Sequence, residues 1–421
     1  MYLFLPYFFL CLNLIANQVF ANHTDRQSLS AIKDHHQFFS HTCTNVVKND
    51  DLPIQINEWR QKARNNNELI FVNPIINQEV KITSIKRNPS QKSFRYTFYK
   101  NSNPELFLAV TKSCNISLAR LIKRDKYNRI ISISTLSKDL RKEAFVENLN
   151  PDIPAVNPPL GIKVALVDTG INYLLPDITK RLARKNPKEL LGYDFEDGDR
   201  FPFDADFVGS PFFPRHHGTS VASILIREAP LAQIVPYRFS RKNPCLFKDI
   251  VTDIADQNIK VALIPMGSSN FETWKCFDKA ARSHKEILFI VSAGNKNTNL
   301  DEKKIFPASL NLKNMLVVSS STMYGNLARG SNFGANNVDL LVNAEQIEVI
   351  DHRGVRSLAS GSSFAVPRIG AMAARFLRFN PHSTMEEIKE KLTKRAILVE
   401  PKFAKYGWIP DPLDDYLFYI E

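Results

Sequence analysis

Val164-Ala165-Leu166-Val167-Asp168-Thr169-Gly170 carries an unbroken apolar run into a carboxylate and then a turn. An apolar run without polar alternation suits a strand covered on both faces, as in parallel sheets. Such short runs lie at residues 163–167, 233–237, 260–264, 287–292, 315–319 and 338–342, with helical patterns between them at 218–228, 247–257 and from Cys276 onward. The alternation predicts an α/β fold over residues 161–421: a doubly wound, mostly parallel sheet flanked by helices, with its functional groups at the carboxyl ends of the strands. Ser383-Thr384-Met385-Glu386 reads as a capping box opening a last helix that runs to about Arg395.

Upstream the texture differs. Residues 94–99, 106–110 and 129–134 are rich in β-branched and aromatic side chains and are separated by Asn, Ser, Lys and Asp. That pattern predicts an antiparallel sheet, with a hairpin turn at Asp125-Lys126-Tyr127-Asn128. Residues 22–150 therefore read as a smaller, β-rich α+β N-terminal domain. Residues 151–160 follow as a linker, in which Pro151, Pro154, Pro158 and Pro159 exclude helix and favour an extended chain.

The 421 residues, 44% of them hydrophobic, are enough to bury two cores. The formal charge of +12 favours acidic partners, yet no finger, helix-turn-helix or RNA-recognition signature is present, so nucleic acid is not an expected target. The chain opens on an apolar run at residues 2–12 and reaches Val19-Phe20-Ala21, a small-x-small pattern. This predicts an export leader over residues 1–21, cleaved near Ala21, and a secreted or periplasmic mature chain. The run falls short of the roughly 18 to 20 residues that a membrane span needs, and no later segment supplies one. Loss of the leader removes Cys11 and leaves Cys43, Cys114, Cys245 and Cys276, an even set that suits disulfides in an exported chain. Four cysteines allow three pairings; one bridge per domain would join Cys43 to Cys114 and Cys245 to Cys276.

Four short motifs carry the chemistry. Asp168-Thr169-Gly170 ends the first buried strand, and His217-Gly218-Thr219 opens an apolar helix. Ala293-Gly294-Asn295 ends another strand, and Gly361-Ser362-Ser363-Phe364-Ala365-Val366-Pro367 leads into a helix of small residues with Pro367 in its first turn. Each motif alone has an ordinary structural role: a turn, a cap, a buried donor. Together, in the order Asp, His, Asn, Ser on successive strand ends and helix starts, they resemble the four active-site signatures of the subtilisin-like serine proteases, the subtilase family.

The resemblance covers roughly residues 160–400 and implies a subtilisin-like fold and a serine-type endopeptidase that needs no cofactor, acting on protein or peptide substrates. It implies that Ser363 attacks the scissile carbonyl, His217 carries the proton, Asp168 orients and stabilises the imidazole, and Asn295 donates to the oxyanion. Neighbouring Ser362 and His216 then have no part in the chemistry. Substrate binding is implied for Pro265, Met266 and Gly267 on one side and Ser292, Ala293 and Gly294 on the other. Residues 22–150 stand where such enzymes carry a removable prodomain, although a retained accessory domain fits them as well. A monomer is expected.

The chain departs from the family pattern at Phe364, where Met is usual, at Ser220, where a second His is common, and at Pro265, where a small polar residue is common. Proline lacks an N–H, so pairing with an extended peptide would run through the Pro265 carbonyl and both groups of Gly267. The acidic insert Gly192-Tyr193-Asp194-Phe195-Glu196-Asp197-Gly198-Asp199, with Asp204, reads as a solvated loop, with Ca²⁺ binding as the alternative. The competing functional class is an inert exported binding protein on a protease scaffold, whose usual mark, a lost triad residue, is missing here. An α/β-hydrolase esterase fails because it needs Gly-x-Ser-x-Gly, with Ser ahead of Asp and His.

Overall fold

A computed structural model describes residues 32, 35–44, 55–56, 58–65, 67–86 and 92–416. The leader expected over residues 1–21 lies outside them. Backbone contacts divide the chain into two units, residues 1–149 with Gly209–Phe213, and Asn150–Val208 with Pro214–Glu421.

In the first unit, nine strands from Gln55–Ile56 to Glu143–Asn148 pair in sequence order, every pair antiparallel. The three expected strands are found at Lys92–Lys100, Asn103–Thr111 and Ile130–Leu136, the last beginning one residue after Arg129. The turn at Asp125 closes through the Asn128 N–H on the Asp125 carbonyl at 3.0 Å, with Asn128 at φ 65°. A helical stretch at residues 35–44 lays Phe38 and Phe39 against the sheet, where they meet Trp59, Phe71 and Tyr96. The Cys43–Cys114 disulfide ties this stretch to the turn after Asn103–Thr111.

The second unit is built on a parallel sheet in the spatial order Tyr193–Asp194, Ala232–Arg238, Ile162–Asp168, Val261–Ile264, Leu288–Ser292, Met315–Ser321, Leu340–Asn343, Gly407–Ile409. Each of the six expected runs forms a strand. The strands lack polar alternation because both faces are covered. Val164 and Leu166 enter one core beneath the helices Gly218–Glu228 and Ser362–Phe379, while Ala165 and Val167 enter another beneath Phe247–Asp256 and Lys275–Ser283. The small residues after Pro367 serve this close packing: a methyl at Gly370 would stand 2.6 Å from Leu263 Cδ2.

Three local expectations shift. The Ser363 helix starts at Ser362, so Pro367 is in its second turn and not its first, where it lacks the N–H that would have bonded the Ser363 carbonyl four residues back. The last helix, Met385–Thr393, is capped by Thr384 with Glu387 rather than by Ser383 with Glu386; both pairs have the right spacing, but Thr384 adopts the extended backbone of a cap. Residues 151–160 form neither helix nor strand, yet they are fixed to the second unit. Tyr173 donates its hydroxyl to the Pro151 carbonyl at 2.6 Å, Val156 its N–H to Pro187, and Gln233 its amide to Pro159.

The Cys245–Cys276 disulfide links the starts of the two helices Phe247–Asp256 and Lys275–Ser283 across 31 residues of chain. Closing a loop of that length stabilises the folded chain by about 3.7 kcal/mol. Replacing both cysteines by serine is therefore expected to lower the unfolding free energy in urea by about that amount. An unchanged midpoint would contradict a structural role for the bridge.

Candidate active site

Asp168 ends an interior strand of the parallel sheet, the third of eight in spatial order, and is 1% exposed. Both of its carboxylate oxygens lie within hydrogen-bonding distance of His217 Nδ1, at 2.9 and 2.8 Å. The imidazole is about one-third exposed, so the pair runs from a buried carboxylate outward to an accessible ring. The glycine after the histidine permits this approach: a Cβ at Gly218 would lie 2.0 Å from the Gly170 carbonyl oxygen and 3.1 Å from Asp168 Cβ. Burial favours the neutral imidazole, but the Asp168 carboxylate, helped by Asp204 and Asp206, outweighs it and holds the His217 pKa above the ordinary histidine value.

A second carboxylate fixes the start of the His217 helix. Asp204 is fully buried and accepts hydrogen bonds from Thr169 Oγ1 at 2.6 Å, from the His217 N–H at 3.2 Å and from the Thr219 N–H at 3.0 Å, as well as from the Thr219 hydroxyl. Thr169 Oγ1 in turn accepts from the His217 and Gly218 N–H groups at 3.1 and 3.0 Å. Three backbone donors at the helix start are thus satisfied by side chains from other segments, which clamps His217 onto the Asp168 strand. Burial would push the Asp204 carboxyl up; the charge of His352, whose Nδ1 lies 3.8 Å away, the charge of His216 and the Thr169 bond bring it below the usual carboxylate range. Sequence reasoning placed Asp204 among the possible calcium carboxylates and missed this role. The one available signal was a charged residue between two active-site motifs. The other insert carboxylates also meet protein donors: Asp194 and Asp197 both reach Arg238 Nη1, at 2.8 and 2.6 Å, and Glu196 accepts from Ser240 Oγ.

The serine-bearing side is equally ordered. Ser362 is fully buried; its Oγ lies 2.7 Å from Ser292 Oγ and 2.9 Å from Asn295 Oδ1 and accepts from the Gly294 N–H at 3.1 Å. It is a staple between helix and strand. Its backbone N–H also donates to Asn295 Oδ1 at 2.9 Å, which occupies the carbonyl of that amide and turns the NH₂ end outward for another acceptor. Asn332, 1% exposed, was not singled out from the sequence. It holds the loop that presents Asn295, donating to the Ala293 carbonyl at 2.7 Å and accepting from the Lys296 and Thr298 N–H groups. His216 is engaged elsewhere, stacked on His352 at 3.7 Å between ring centres.

Asp168, His217, Asn295 and Ser363 all line one cavity of about 380 Å³, together with Pro265, Met266, Gly267, Ser292 and Gly294. The structure therefore brings together every expected site residue except Ala293. Ala293 is fully buried, with its carbonyl bonded to Asn332 and its N–H to the Val318 carbonyl, so it stands behind the cavity wall instead of facing a substrate. Ser363 is half-buried, and its hydroxyl donates to the Pro265 carbonyl at 2.9 Å. That bond engages the same carbonyl that peptide pairing was expected to use. What the cavity offers chemically is a hydroxyl, an imidazole backed by a carboxylate, and an amide donor.

Comparison with known proteins gives a family and a fold. A family model described as the subtilase family matches residues 160–409. A thermophilic serine proteinase of Bacillus sp. (strain AK1) is 27% identical over 267 residues, a match that covers 59% of this chain and 60% of that protein. Among solved structures, a lanthipeptide protease is 23% identical, with 60% of this chain and 87% of that one covered and a TM-score of 0.50. The epidermin leader peptide processing serine protease of Staphylococcus aureus is 18% identical, over 62% and 76% of the two chains, with the same TM-score of 0.50. At these identities the solved structures show the fold alone, a subtilisin-like one.

Because Asp204 is buried and bonded to four donors, its replacement by alanine would strand the hydroxyls and N–H groups it now satisfies. The Asp204→Ala variant is expected to lose on the order of 3 kcal/mol of stability in urea unfolding. A loss below about 0.5 kcal/mol, the range of an ordinary surface substitution, would show that the clamp is dispensable.

Proposed function

The chain belongs to the subtilase family, and on that premise we propose that it is an exported serine endopeptidase working through Asp168, His217 and Ser363, with Asn295 as oxyanion donor. The observation that carries this is the short, two-oxygen bond of Asp168 to His217 Nδ1 in the cavity that Ser363 and Asn295 also line. Nδ1 is held by the carboxylate, which leaves Nε2 to act as base.

In this reading a peptide laid along Pro265-Met266-Gly267 competes for the Pro265 carbonyl and frees the Ser363 hydroxyl to turn about χ1 toward the imidazole. Ser363 Oγ then forms a bond to the scissile carbonyl carbon as its proton passes to His217 Nε2. The carbonyl oxygen becomes an anion that accepts from the outward NH₂ of Asn295 and from the Ser363 N–H at the positive end of its helix. Collapse breaks the C–N bond, and the leaving amine takes the proton from His217. Water, deprotonated by His217 in turn, hydrolyses the acyl-enzyme and restores the hydroxyl. The charged imidazole formed in both halves is stabilised by Asp168. An inert scaffold has no need for this retained set.

Two disulfides suit a chain matured in an oxidising compartment, which supports export with cleavage near Ala21. No helix among the described residues is long and apolar enough to cross a membrane. The N-terminal unit is read as a prodomain of a zymogen, on its place ahead of the family match.

Hydrolysis of unfolded protein, followed by mapping of the cut sites, tests the activity. Below the raised pKa of His217 the imidazole is protonated and cannot take the serine proton, so kcat/KM is expected to rise with pH and level off above a midpoint higher than 6.5. Asp168→Asn is expected to cut kcat by about four orders of magnitude and to move that midpoint down. Asn295→Ala is expected to cost about 10² to 10³ in kcat. Full activity in Asp168→Asn, or a midpoint it does not move, would contradict the roles assigned.

A further inference from the structure

The cavity that holds the proposed catalytic residues is unevenly charged. Its lining includes the acids Asp168 and Asp206 and the bases Arg215, Arg241 and Lys296, besides His217. Asp168 is committed to His217. Asp206 is committed to Arg241, whose Nε and Nη2 grip its two oxygens at 2.8 and 2.6 Å. Two cations remain. Arg215 and Lys296 are both exposed, and neither side chain has a hydrogen-bond or ion-pair partner among the described residues.

Both have their backbones fixed. Lys296 directly follows Asn295, and its N–H is held by the buried Asn332 at 2.9 Å, so its side chain starts one residue from the proposed oxyanion donor. Arg215 exchanges backbone hydrogen bonds with Asp206 in both directions, at 2.9 and 2.7 Å, two residues before His217. Unmatched positive charge in a concave site raises the local concentration of anionic ligands and favours their binding.

We propose that Arg215 and Lys296 select substrates, so that the enzyme prefers to cut peptides carrying Asp or Glu within two residues of the scissile bond. The selection is a property of the cavity and rests on the proposed peptidase reading only for its consequence, cleavage.

Binding and turnover are therefore to be measured apart. The Ser363→Ala full-length chain is titrated with fluorescent octapeptides that differ only by Glu or Gln at the positions flanking the central bond. Cut sites are mapped for the unaltered chain on an unfolded proteome. The expected result is about tenfold tighter binding of the Glu peptide, or ~1.4 kcal/mol. That advantage is expected to shrink in high salt and to reverse in Lys296→Glu/Arg215→Glu, with Asp and Glu enriched around the mapped cuts. The salt series on the otherwise unaltered Ser363→Ala chain keeps the test decisive if the double variant does not fold. Equal affinity for the two peptides, no binding of either, or a Glu advantage indifferent to salt would overturn the proposal. A salt-sensitive Glu advantage in a chain that hydrolyses nothing would uphold it and refute the catalytic reading instead.

Discussion

A strand buried on both faces has nowhere to put a charge except at its end, and Asp168 sits at such an end with almost no contact with water. An uncompensated carboxylate there would be costly, so the fold must bring donors to it. His217 is the compensation. Because the histidine opens a helix, its position depends on the helix start being fixed as firmly as the strand end. Asp204 and Thr169 provide that fixation from two segments upstream in the chain, and Gly218 leaves the space for it. Much of the candidate site follows from that one pairing: the imidazole faces outward, toward the cavity where the serine helix starts.

The serine side solves a different problem. Two adjacent serines begin one helix and are put to opposite uses by burial alone. Ser362 faces inward and spends its hydroxyl on Ser292, Gly294 and Asn295, which orients the amide of Asn295. Ser363, one position on, faces the cavity and bonds to Pro265. The proline at residue 265 removes a backbone donor where an incoming peptide is proposed to pair, so the carbonyl is the group left to contest between hydroxyl and substrate. Exposed cations then decide which peptides the cavity attracts.

How much was legible in the sequence follows from these forces. The buried strands were readable because double coverage forces unbroken apolar runs, as in 163–167 and 287–292. The four motifs were readable because their residue types recur with one chemistry. The edge strands Tyr193–Asp194 and Gly407–Ile409 were not, since two or three residues show no period, and pairing at an edge asks little of side chains. In the N-terminal sheet, Trp59–Arg64 and Glu143–Asn148 escaped notice because most of their side chains are exposed, so burial imposes no alternating pattern on them; the backbone ladder holds them. Asp204 and Asn332 were hidden for a further reason. Their work is done by hydrogen bonds to segments distant in the chain, and nothing local distinguishes such a residue from an ordinary turn acid or turn amide. The engagement of Pro265 by Ser363 is likewise a product of folding.

The central claim is that the fold makes Ser363, and not its buried neighbour, the activated hydroxyl. The most direct measurement is to treat the folded chain with a fluorophosphonate and locate the adduct by peptide mass spectrometry. The account predicts a single adduct on Ser363, lost when the chain is unfolded before labelling and lost in His217→Ala. An adduct on Ser362, or labelling of Ser363 that survives the loss of His217 undiminished, would contradict it.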